Sequence, residues 1–545
     1  MQTNIAVHDT DKEQGNVMDS NPNRGTNHKE KRMNAIIRTT SVAVLVAPGL
    51  TLTAWAAEPD AKRFRLDAPP EVRKIPELAR SKTDKRVWEK TGVELEFRVP
   101  KARLSAPPVW VEGVKTCEIE LEHRDFGWKS GPVIPADWSG KRVKLFYSVS
   151  PITSGKKGAV ARVMVNGRNF DIEGYSEFAS MEFDITAAAK FGAENVIPTR
   201  SRGLAWLRAL PPVNVSRLEV ETTFDAQYRD ATMEVSLEIS NEGGEDAQDV
   251  RVAFELIGPD GKDWPTGAKE LSLGGLKAGE GVALSPKIVV ASPLPWDSDH
   301  PNLYRLRCAL HVGGKKAEVA ERRFGFRQVE VRGNGLYINN HRAKLRGAVS
   351  FWVQPGLAHN RHPLEVEAGR KALVLLRDAN VNHLRPAWYA PVMIDLCDEL
   401  GMTSVPGGNW GLGGRNLSIV EAQELATWMV ATHKSNPSAI MWSVANEAWG
   451  PQYELMGRRF KELDRRPVCV SVIRTPANGL PGMDIDNGHY PSNKRMTEDV
   501  KNGRGWYFDE FCHTCTYNLT GREDDYDGGV HDQWGDMFEE NWECA

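Results

Sequence analysis

Two carboxylic acids that follow apolar runs have the residue types of a catalytic pair. Glu447 comes directly after Asn446, at the end of the apolar run Ile440–Val444, and Glu510 follows a later run in GWYFDEFCHTC. Two carboxyl groups on either side of a glycosidic bond can hydrolyse it, with retention at a separation of roughly 5–5.5 Å and inversion at a wider one. Polar residues at strand ends that only cap a core element show the same pattern. Whether these two acids form a catalytic pair therefore depends on the elements that position them.

Residues 328–545, which contain both acids, alternate between predicted strands and helices. Ser418 and Glu421 form a capping box that begins one helix, and Pro391 and Gly401 are typical first and closing residues of another. The predicted strands are 343–349, 381–385, 402–405, 439–444, 468–472, 484–488 and 505–509.

This alternation is typical of a (β/α)8 TIM barrel, in which the chemistry collects at the carboxyl ends of the strands. Glu447 would follow the fourth strand and Glu510 would end the seventh, on facing sides of the barrel mouth. The sequence ends at Ala545, where an eighth strand would begin. Since a barrel of seven strands leaves two exposed edges, we expect 328–545 to be a C-terminally incomplete barrel.

Two all-β regions are expected before the barrel. Residues 58–212 contain short strands, with a hairpin signal at Asn166–Gly167, which predicts a β-sandwich of the jelly-roll kind. Residues 213–327 contain longer alternating strands at a spacing typical of an immunoglobulin-like sandwich.

Residues 1–57 read as a disordered leader followed by a secretory signal. Basic residues precede the apolar segment 41–54, and the small residues Ala54 and Ala56 suit signal cleavage. The apolar segment is too short to span a bilayer. We therefore expect export to the periplasm or the outside, no membrane contact after cleavage, and a start at either Met1 or Met33.

Composition excludes several classes of protein. The formal net charge of -4 argues against nucleic-acid binding, and the seven scattered cysteines argue against a disulfide framework. Cys512 and Cys515 form one CxxC pair, but a zinc site needs four ligands. We expect no metal and no cofactor, and the sequence leaves a homo-oligomer open.

Motifs in all three regions occur in the order found in one enzyme family. The motifs are ADWSGKRVKLFYSVS and VMVNGRNF in the first region, WDSDHPNLYRLRCAL at the end of the second, and NVNHLRPAWYAPVMIDLCDELGM and HKSNPSAIMWSVANE in the third. From about residue 105 onward the chain resembles glycoside hydrolase family 2, which includes β-galactosidases, β-glucuronidases and β-mannosidases. The likeness is greatest to the β-galactosidases.

The resemblance implies a retaining exo-β-glycosidase that acts on terminal β-linked sugars of an oligosaccharide or polysaccharide-derived glycoside. In that family's pattern, Glu447 matches the general acid/base, Glu510 the nucleophile, and Asn446 the residue that hydrogen-bonds the sugar 2-hydroxyl.

Three further residues resemble functional residues of the family, and Trp388 is a fourth candidate because of its aromatic side chain. Arg385 resembles the residue that steadies the nucleophile's charge, Tyr490 resembles its hydrogen-bond partner, and His513 matches a sugar-contacting histidine. Trp388 could stack on a sugar face. A barrel-mouth ion pair, a loop histidine and simple packing are the alternatives for Arg385, His513 and Trp388.

The loops that line the family's sugar pocket depart from its usual patterns. The chain has GAVSFWVQ at 347–354, Ala387–Tyr389 after the second strand and PGGN at Pro406–Asn409 after the third. The sugar is therefore undecided, and a non-catalytic carbohydrate-binding relative is the alternative function.

Overall fold

The computed structural model places the secondary structure of all three regions. It describes residues 61–68, 72–80, 88–98, 109–110, 118–121, 131–147, 161–172, 181–197, 205–266, 269–350, 363–386, 391–407, 417–472, 475, 479–489, 501 and 503–510. None of the helices within these ranges is long and apolar enough to cross a membrane.

The first region is built from short strands. They are β1 (Lys62–Arg65), β2 (Val72–Arg80), β3 (Trp88–Arg98), β4 (Val109–Trp110), β5 (Glu118–Leu121), β6 (Val133–Ile134), β7 (Arg142–Tyr147), β8 (Ala161–Val165), β9 (Arg168–Ile172), β10 (Met181–Asp184), β11 (Ala193–Glu194) and β12 (Ala205–Leu210).

An antiparallel sheet in the order β10-β7-β12-β5 carries the core of this region. Val143, Leu145 and Leu207 are buried on it together with Val163 from β8. The predicted hairpin is confirmed, since β8 pairs with β9 in antiparallel orientation. Asn166 and Gly167 have φ angles of 50° and 83°, because a tight two-residue turn needs two positive φ angles.

Two strands of the expected first domain pair instead with strands of the following region. β1 lies antiparallel to Glu280–Leu284, and β4 pairs with Lys315–Phe324. Arg63 of β1 also donates to the carbonyl oxygens of Leu273 and Gly275, in the strand Lys269–Leu276 of the second region, at 2.8 and 2.7 Å. The chain thus crosses the boundary expected at 212, since an edge strand joins whichever open edge it meets.

The second region is a sandwich of two antiparallel sheets. Its strands are β13 (Val213–Phe224), β14 (Ala231–Asn241), β15 (Ala247–Ile257), β16 (Lys269–Leu276), β17 (Glu280–Leu284), β18 (Lys287–Val290), β19 (Tyr304–Val312) and β20 (Lys315–Phe324). Alternate residues of β14 are buried, as expected for a strand with one face on a core. One continuous apolar cluster joins the two sheets.

In the third region a small antiparallel sheet precedes parallel strands that alternate with helices. The elements are β21 (Val329–Arg332), β22 (Gly335–Ile338), β23 (His341–Arg342), β24 (Gly347–Ser350), α1 (Pro363–Asp378), β25 (His383–Pro386), α2 (Pro391–Leu400), β26 (Thr403–Ser404), α3 (Ile419–His433), β27 (Trp442–Asn446), α4 (Pro451–Leu463), β28 (Val468–Ser471), β29 (Asp486–His489) and β30 (Trp506–Glu510).

The strands β24 to β30 are neighbours in chain order. β24, β25 and β26 pair in parallel, as do β27 with β28 and β29 with β30. Parallel bridges from Ser404 to Ala439 and from Gly407 to Ser443 connect the β26 and β27 segments, and β30 lies against β24. The carboxyl ends of these strands therefore lie on one side of the region.

The predicted helix limits are confirmed at two helices. At α3 the Ser418 hydroxyl accepts from the Glu421 amide at 3.2 Å, and the Glu421 carboxylate accepts from the Ser418 amide at 2.7 Å. Helix α2 begins at Pro391 and is followed by Gly401 at φ 68°. A β-carbon on Gly401 would lie 2.4 Å from the Ser298 carbonyl oxygen, so this close approach requires glycine.

A buried arginine anchors the second region to the segment that leads into β27. Arg327 donates to the carbonyl oxygens of Pro437 and Ala439 at 2.9 and 3.0 Å. Arg466, which is paired with Asp464 at 2.7 Å, donates to the same Ala439 oxygen at 3.0 Å. These contacts fix the start of the strand whose other end carries Asn446.

Candidate active site

Glu447 lies directly after β27 in a conformation that is unusual for a residue with a side chain. Its φ is 52°, and its backbone N–H donates to the Ser471 carbonyl oxygen at 2.8 Å. The side chain is exposed, whereas Asn446 before it is buried. A left-handed non-glycine residue costs on the order of 1–3 kcal/mol and clusters at functional sites.

Irregular strand pairing precedes both predicted acids. Ser443 and Asn446 lie opposite Cys469 and Ser471, so β27 has one extra residue there. Asn487 and His489 lie opposite Tyr507 and Glu510, so β30 also has one extra residue. Such bulges re-aim side chains and are frequent at barrel rims and beside active sites.

Asn446 is held by Arg385 from the end of β25. Its side-chain oxygen accepts a hydrogen bond from Arg385 Nη2. A guanidinium only donates, so the carbonyl oxygen of the Asn446 amide must be the atom that faces it. The amide NH₂ of Asn446 is then the group left to donate to a ligand.

Arg385 in turn pairs with Asp509, the residue before Glu510. The Arg385 Nε to Asp509 Oδ2 distance is 3.1 Å, and the Asp509 side chain is fully buried. The Ser471 hydroxyl donates to the same carboxylate oxygen, and Asn487 Nδ2 donates to Oδ1 at 2.8 Å. This charge-assisted network connects the carboxyl ends of β25, β27, β28 and β30 with Asn487 of β29.

A buried histidine lies two residues before Arg385. Nδ1 of His383 is 2.9 Å from Thr403 Oγ1, and Nε2 is 2.9 Å from the Tyr507 hydroxyl. Since the Thr403 hydroxyl donates to the Asn382 carbonyl oxygen, it must accept from Nδ1–H. Burial lowers the pKa of His383 to about 3, so this ring is neutral at ordinary pH.

Of the predicted site residues, the structure brings Arg385 and Asn446 into contact and puts Glu447 beside them. The backbone of Glu510 ends β30, opposite His489. Its side chain lies outside the described part of the chain. Tyr490, His513 and Trp388 also lie outside the described residues.

Sequence reasoning missed Asp509, Ser471 and Asn487. Ser471 ends β28 and Asp509 is next to last in β30, two strands whose other residues are mostly apolar, and that signal was available. Asn487 is the second residue of β29, whose sequence DNGH gives no such contrast. Asp509 was overlooked because ordinary strand alternation puts it on the face opposite Glu510. The bulge that disturbs this alternation has no visible mark in the sequence.

The described residues offer no group of three or more His, Cys, Asp or Glu side chains that could hold a metal ion. Cys308, Cys397 and Cys469 are buried free thiols, and burial raises the pKa of the Cys469 thiol. Cys512 and Cys515 lie outside the described residues.

Parts of the chain are similar to known glycoside hydrolases. The β-galactosidase of Priestia megaterium is 27% identical over 357 residues, which are 55% of this chain and 32% of that protein. A putative β-glucuronidase of Formosa agariphila is 27% identical over 256 residues, 46% of this chain and 29% of that protein. The family model for glycosyl hydrolases family 2 matches residues 213–327. These matches confirm the resemblance to glycoside hydrolase family 2 that the motifs predict.

Solved structures share the fold of this chain. A glycosyl hydrolase family 2 member from Bacteroides cellulosilyticus superposes with a TM-score of 0.58 at 19% identity, covering 81% of this chain and 63% of that one. A putative β-galactosidase from Bacteroides fragilis superposes with a TM-score of 0.63 at 17% identity, covering 89% of this chain and 77% of that one. The multidomain fold is therefore a family 2 fold, and the family predicted from the motifs is confirmed. The chain spans about a third of the length of these curated family 2 relatives.

Proposed function

We propose that this chain is a retaining exo-β-glycosidase, with β-galactosides as its first candidate substrates. The main support is the connection of Asn446 and Glu447, at the end of β27, to the end of β30 through Arg385 and Asp509. Two strands that each end in a carboxylic acid are thereby joined by one buried network. Names of the relatives support a β-glycosidase, since both a β-galactosidase and a putative β-glucuronidase are among them.

The proposal includes an architecture for the whole chain. Strands β24 to β30 belong to a (β/α)8 TIM barrel spanning 328–545, with the substrate at the carboxyl ends of the strands. Apart from β1 and β4, which join sheets of the second region, residues 58–212 form a jelly-roll domain, and 213–327 form an immunoglobulin-like one. The leader 1–57 directs export to the periplasm or the outside, where the glycoside substrate is met.

The first chemical step transfers the sugar to the protein. A Glu510 carboxylate oxygen attacks the anomeric carbon while the bond from that carbon to the glycosidic oxygen breaks. Glu447, as the acid, gives its proton to the departing oxygen. The products are the free aglycone and a glycosyl ester of Glu510.

The second step releases the sugar with its original configuration. The Glu447 carboxylate takes a proton from water as the water oxygen attacks the anomeric carbon. The ester bond to Glu510 breaks, which restores the Glu510 carboxylate and a protonated Glu447. Two inversions at one carbon give net retention.

Asn446 contributes through its NH₂ group. Because Arg385 occupies its carbonyl oxygen, the amide can donate to the oxygen of the sugar 2-hydroxyl. Such a contact strengthens as the ring approaches an oxocarbenium-like transition state. Tyr490 as a partner of Glu510, and His513 and Trp388 as sugar contacts, complete the proposed pocket.

The deciding experiment is hydrolysis of aryl β-glycosides of galactose, glucose, mannose, glucuronic acid and fucose. Glu510→Ala should reduce turnover of the accepted sugar on the order of 10⁵-fold or more. Glu447→Ala should spare the first step for a dinitrophenyl leaving group, which needs no proton, and show a burst followed by slow turnover. Glu367→Gln, at an exposed acid on α1, is the control that should keep wild-type activity.

Covalent trapping tests the nucleophile directly. A 2-deoxy-2-fluoro glycoside with a good leaving group should label the peptide that contains Glu510, as read by mass spectrometry. Labelling of another residue would overturn the assignment of Glu510. Sugar binding without turnover of any glycoside in the panel would overturn the enzymatic function and favour a carbohydrate-binding protein.

A further inference from the structure

Asp509 is a buried acid in the network that the proposed two-step reaction does not use. It precedes the proposed nucleophile, and its side chain has no exposure to solvent. Both carboxylate oxygens accept from neighbouring strands, Oδ1 from Asn487 and Oδ2 from Ser471 and Arg385. Burying a carboxylate is costly unless it is paired and hydrogen-bonded, and here it is both.

The ion pair fixes the orientation of the Arg385 guanidinium. The Nε edge faces Asp509 at 3.1 Å, while Nη2 donates to the Asn446 side-chain oxygen and to Ser471 Oγ at 3.3 Å. The guanidinium is planar and rigid, so fixing the Nε edge also fixes the direction of Nη2. The position of the Asn446 amide is thus set by the Asp509 carboxylate through Arg385.

The pairing irregularity in β30 accounts for this placement. The extra residue falls between Tyr507 and Glu510, in the stretch that contains Asp509. A bulge there lets the Asp509 carboxylate reach Arg385 from a strand that also carries Glu510 at its end.

We propose that Asp509 is a positioning residue, which holds Arg385 so that Arg385 presents the Asn446 NH₂ to the 2-hydroxyl of the substrate. This inference rests on the proposed function. Under this proposal Asp509 stabilises the transition state only when the sugar has its 2-hydroxyl. This effect is separate from any contribution of Asp509 to folding.

The test compares Asp509→Asn with the wild type on two substrates of the accepted sugar, the aryl β-glycoside and its 2-deoxy analogue. With the 2-hydroxyl present, kcat should fall on the order of 10²-fold, as for a misplaced catalytic contact, with little change in KM. With the 2-deoxy substrate the loss should be less than about threefold, because the contact that Asp509 organises is missing already.

A matched control is available in Asp486, another fully buried acid paired with an arginine. Asp486 lies at the start of β29, and Arg504 Nε is 2.6 Å from its Oδ2. Asp486→Asn removes a similar ion pair at the amino end of β29. It should lower stability but reduce turnover of both substrates by the same factor.

A double-substitution cycle tests the route through Asn446. In an Asn446→Ala background, Asp509→Asn should cost less than about twofold more, because residues that act as a unit are non-additive. Ser471→Ala, which keeps the carboxylate charge, should give an intermediate loss with the same dependence on the 2-hydroxyl.

Equal losses on both substrates, or additive losses with Asn446→Ala, would overturn the positioning role and leave Asp509 as a folding residue only. If the wild type turns over substrate while the Asp509 variants give those results, the proposed function stands and only the positioning role fails. A wild type without turnover on any sugar of the panel would overturn both.

Discussion

The backbone N–H of Glu447 donates to the carbonyl oxygen of Ser471 at 2.8 Å, across the end of β27 and β28. This bond holds Glu447 at φ 52°, where a side chain is disfavoured. The direction in which the carboxyl group leaves the backbone is therefore set by β28, a strand without a predicted catalytic residue. An unfavourable backbone conformation and the proposed acid/base role coincide at Glu447, and substitution can separate the two.

Glycine and alanine at position 447 should differ in stability although both remove the acid. We expect Glu447→Gly to be more stable than Glu447→Ala by about 1 kcal/mol, because glycine adopts a positive φ without a β-carbon clash. Urea denaturation of both variants measures this difference. Equal stability of the two variants would mean that the backbone relaxes freely at this position. Under the proposed mechanism both variants should lose the same activity, because both lack the acid.

Local signals in the sequence were sufficient for the limits of α2 and α3. The caps at Ser418 and Gly401 act within one turn of the helix, so nothing distant is needed to predict them. The β27 strand was predicted at 439–444 but pairs at Trp442–Asn446. Its limits depend on where β28 offers a partner, and that information is not local.

Non-local pairing also explains what the sequence did not reveal about the site. Arg385 and Asn446 were predicted as site residues from strand ends and family motifs, but their direct contact follows from the arrangement of β25 and β27. Asp509 could be found only with the bulge in β30. The pairing of β1 with β17 was hidden in the same way, because an edge strand carries no mark of its partner.

Arg327 should be important for the stability of the junction between the second and third regions. Arg327→Met removes donors to the carbonyl oxygens of Pro437 and Ala439 and leaves these buried groups without that partner. We expect a loss of about 2–4 kcal/mol, given the cost of each unsatisfied group. Thermal unfolding is the measurement, with Arg332→Met at a half-exposed arginine as the control. A similar small shift for both variants would contradict the anchoring role.

Gly407 should not tolerate a side chain. Its φ is 108°, and a β-carbon would lie 2.2 Å from the Ser443 carbonyl oxygen. We expect Gly407→Ala to destabilise the fold by about 2–3 kcal/mol, because the segment after β26 must move away from β27. Gly244→Ala, where a β-carbon meets nothing within 4 Å, is the matched control. The measurement is the free energy of unfolding of both variants from urea curves. If Gly407→Ala is as stable as the wild type, the close approach of Gly407 to Ser443 is not required for stability.

His383 should make the stability of the fold depend on pH. Burial lowers its pKa to about 3 from an ordinary value of 6.5, so below pH 6.5 the unfolded chain takes up a proton that the folded chain does not. Proton uptake lowers the free energy of the unfolded state, so the stability present above pH 6.5 is lost progressively as pH falls towards 3. Between pH 7 and pH 5 this loss should be about 2 kcal/mol.

The comparison that isolates this effect is His383→Gln, which keeps an amide donor and acceptor but has no ionisable proton. Its difference in unfolding free energy between pH 7 and pH 5 should be smaller than that of the wild type by about 2 kcal/mol. His300→Gln, at an exposed histidine, should keep the wild-type difference. If His383→Gln shows the same pH dependence as the wild type, His383 accepts its proton in the folded state, and the neutral ring between Thr403 and Tyr507 is wrong.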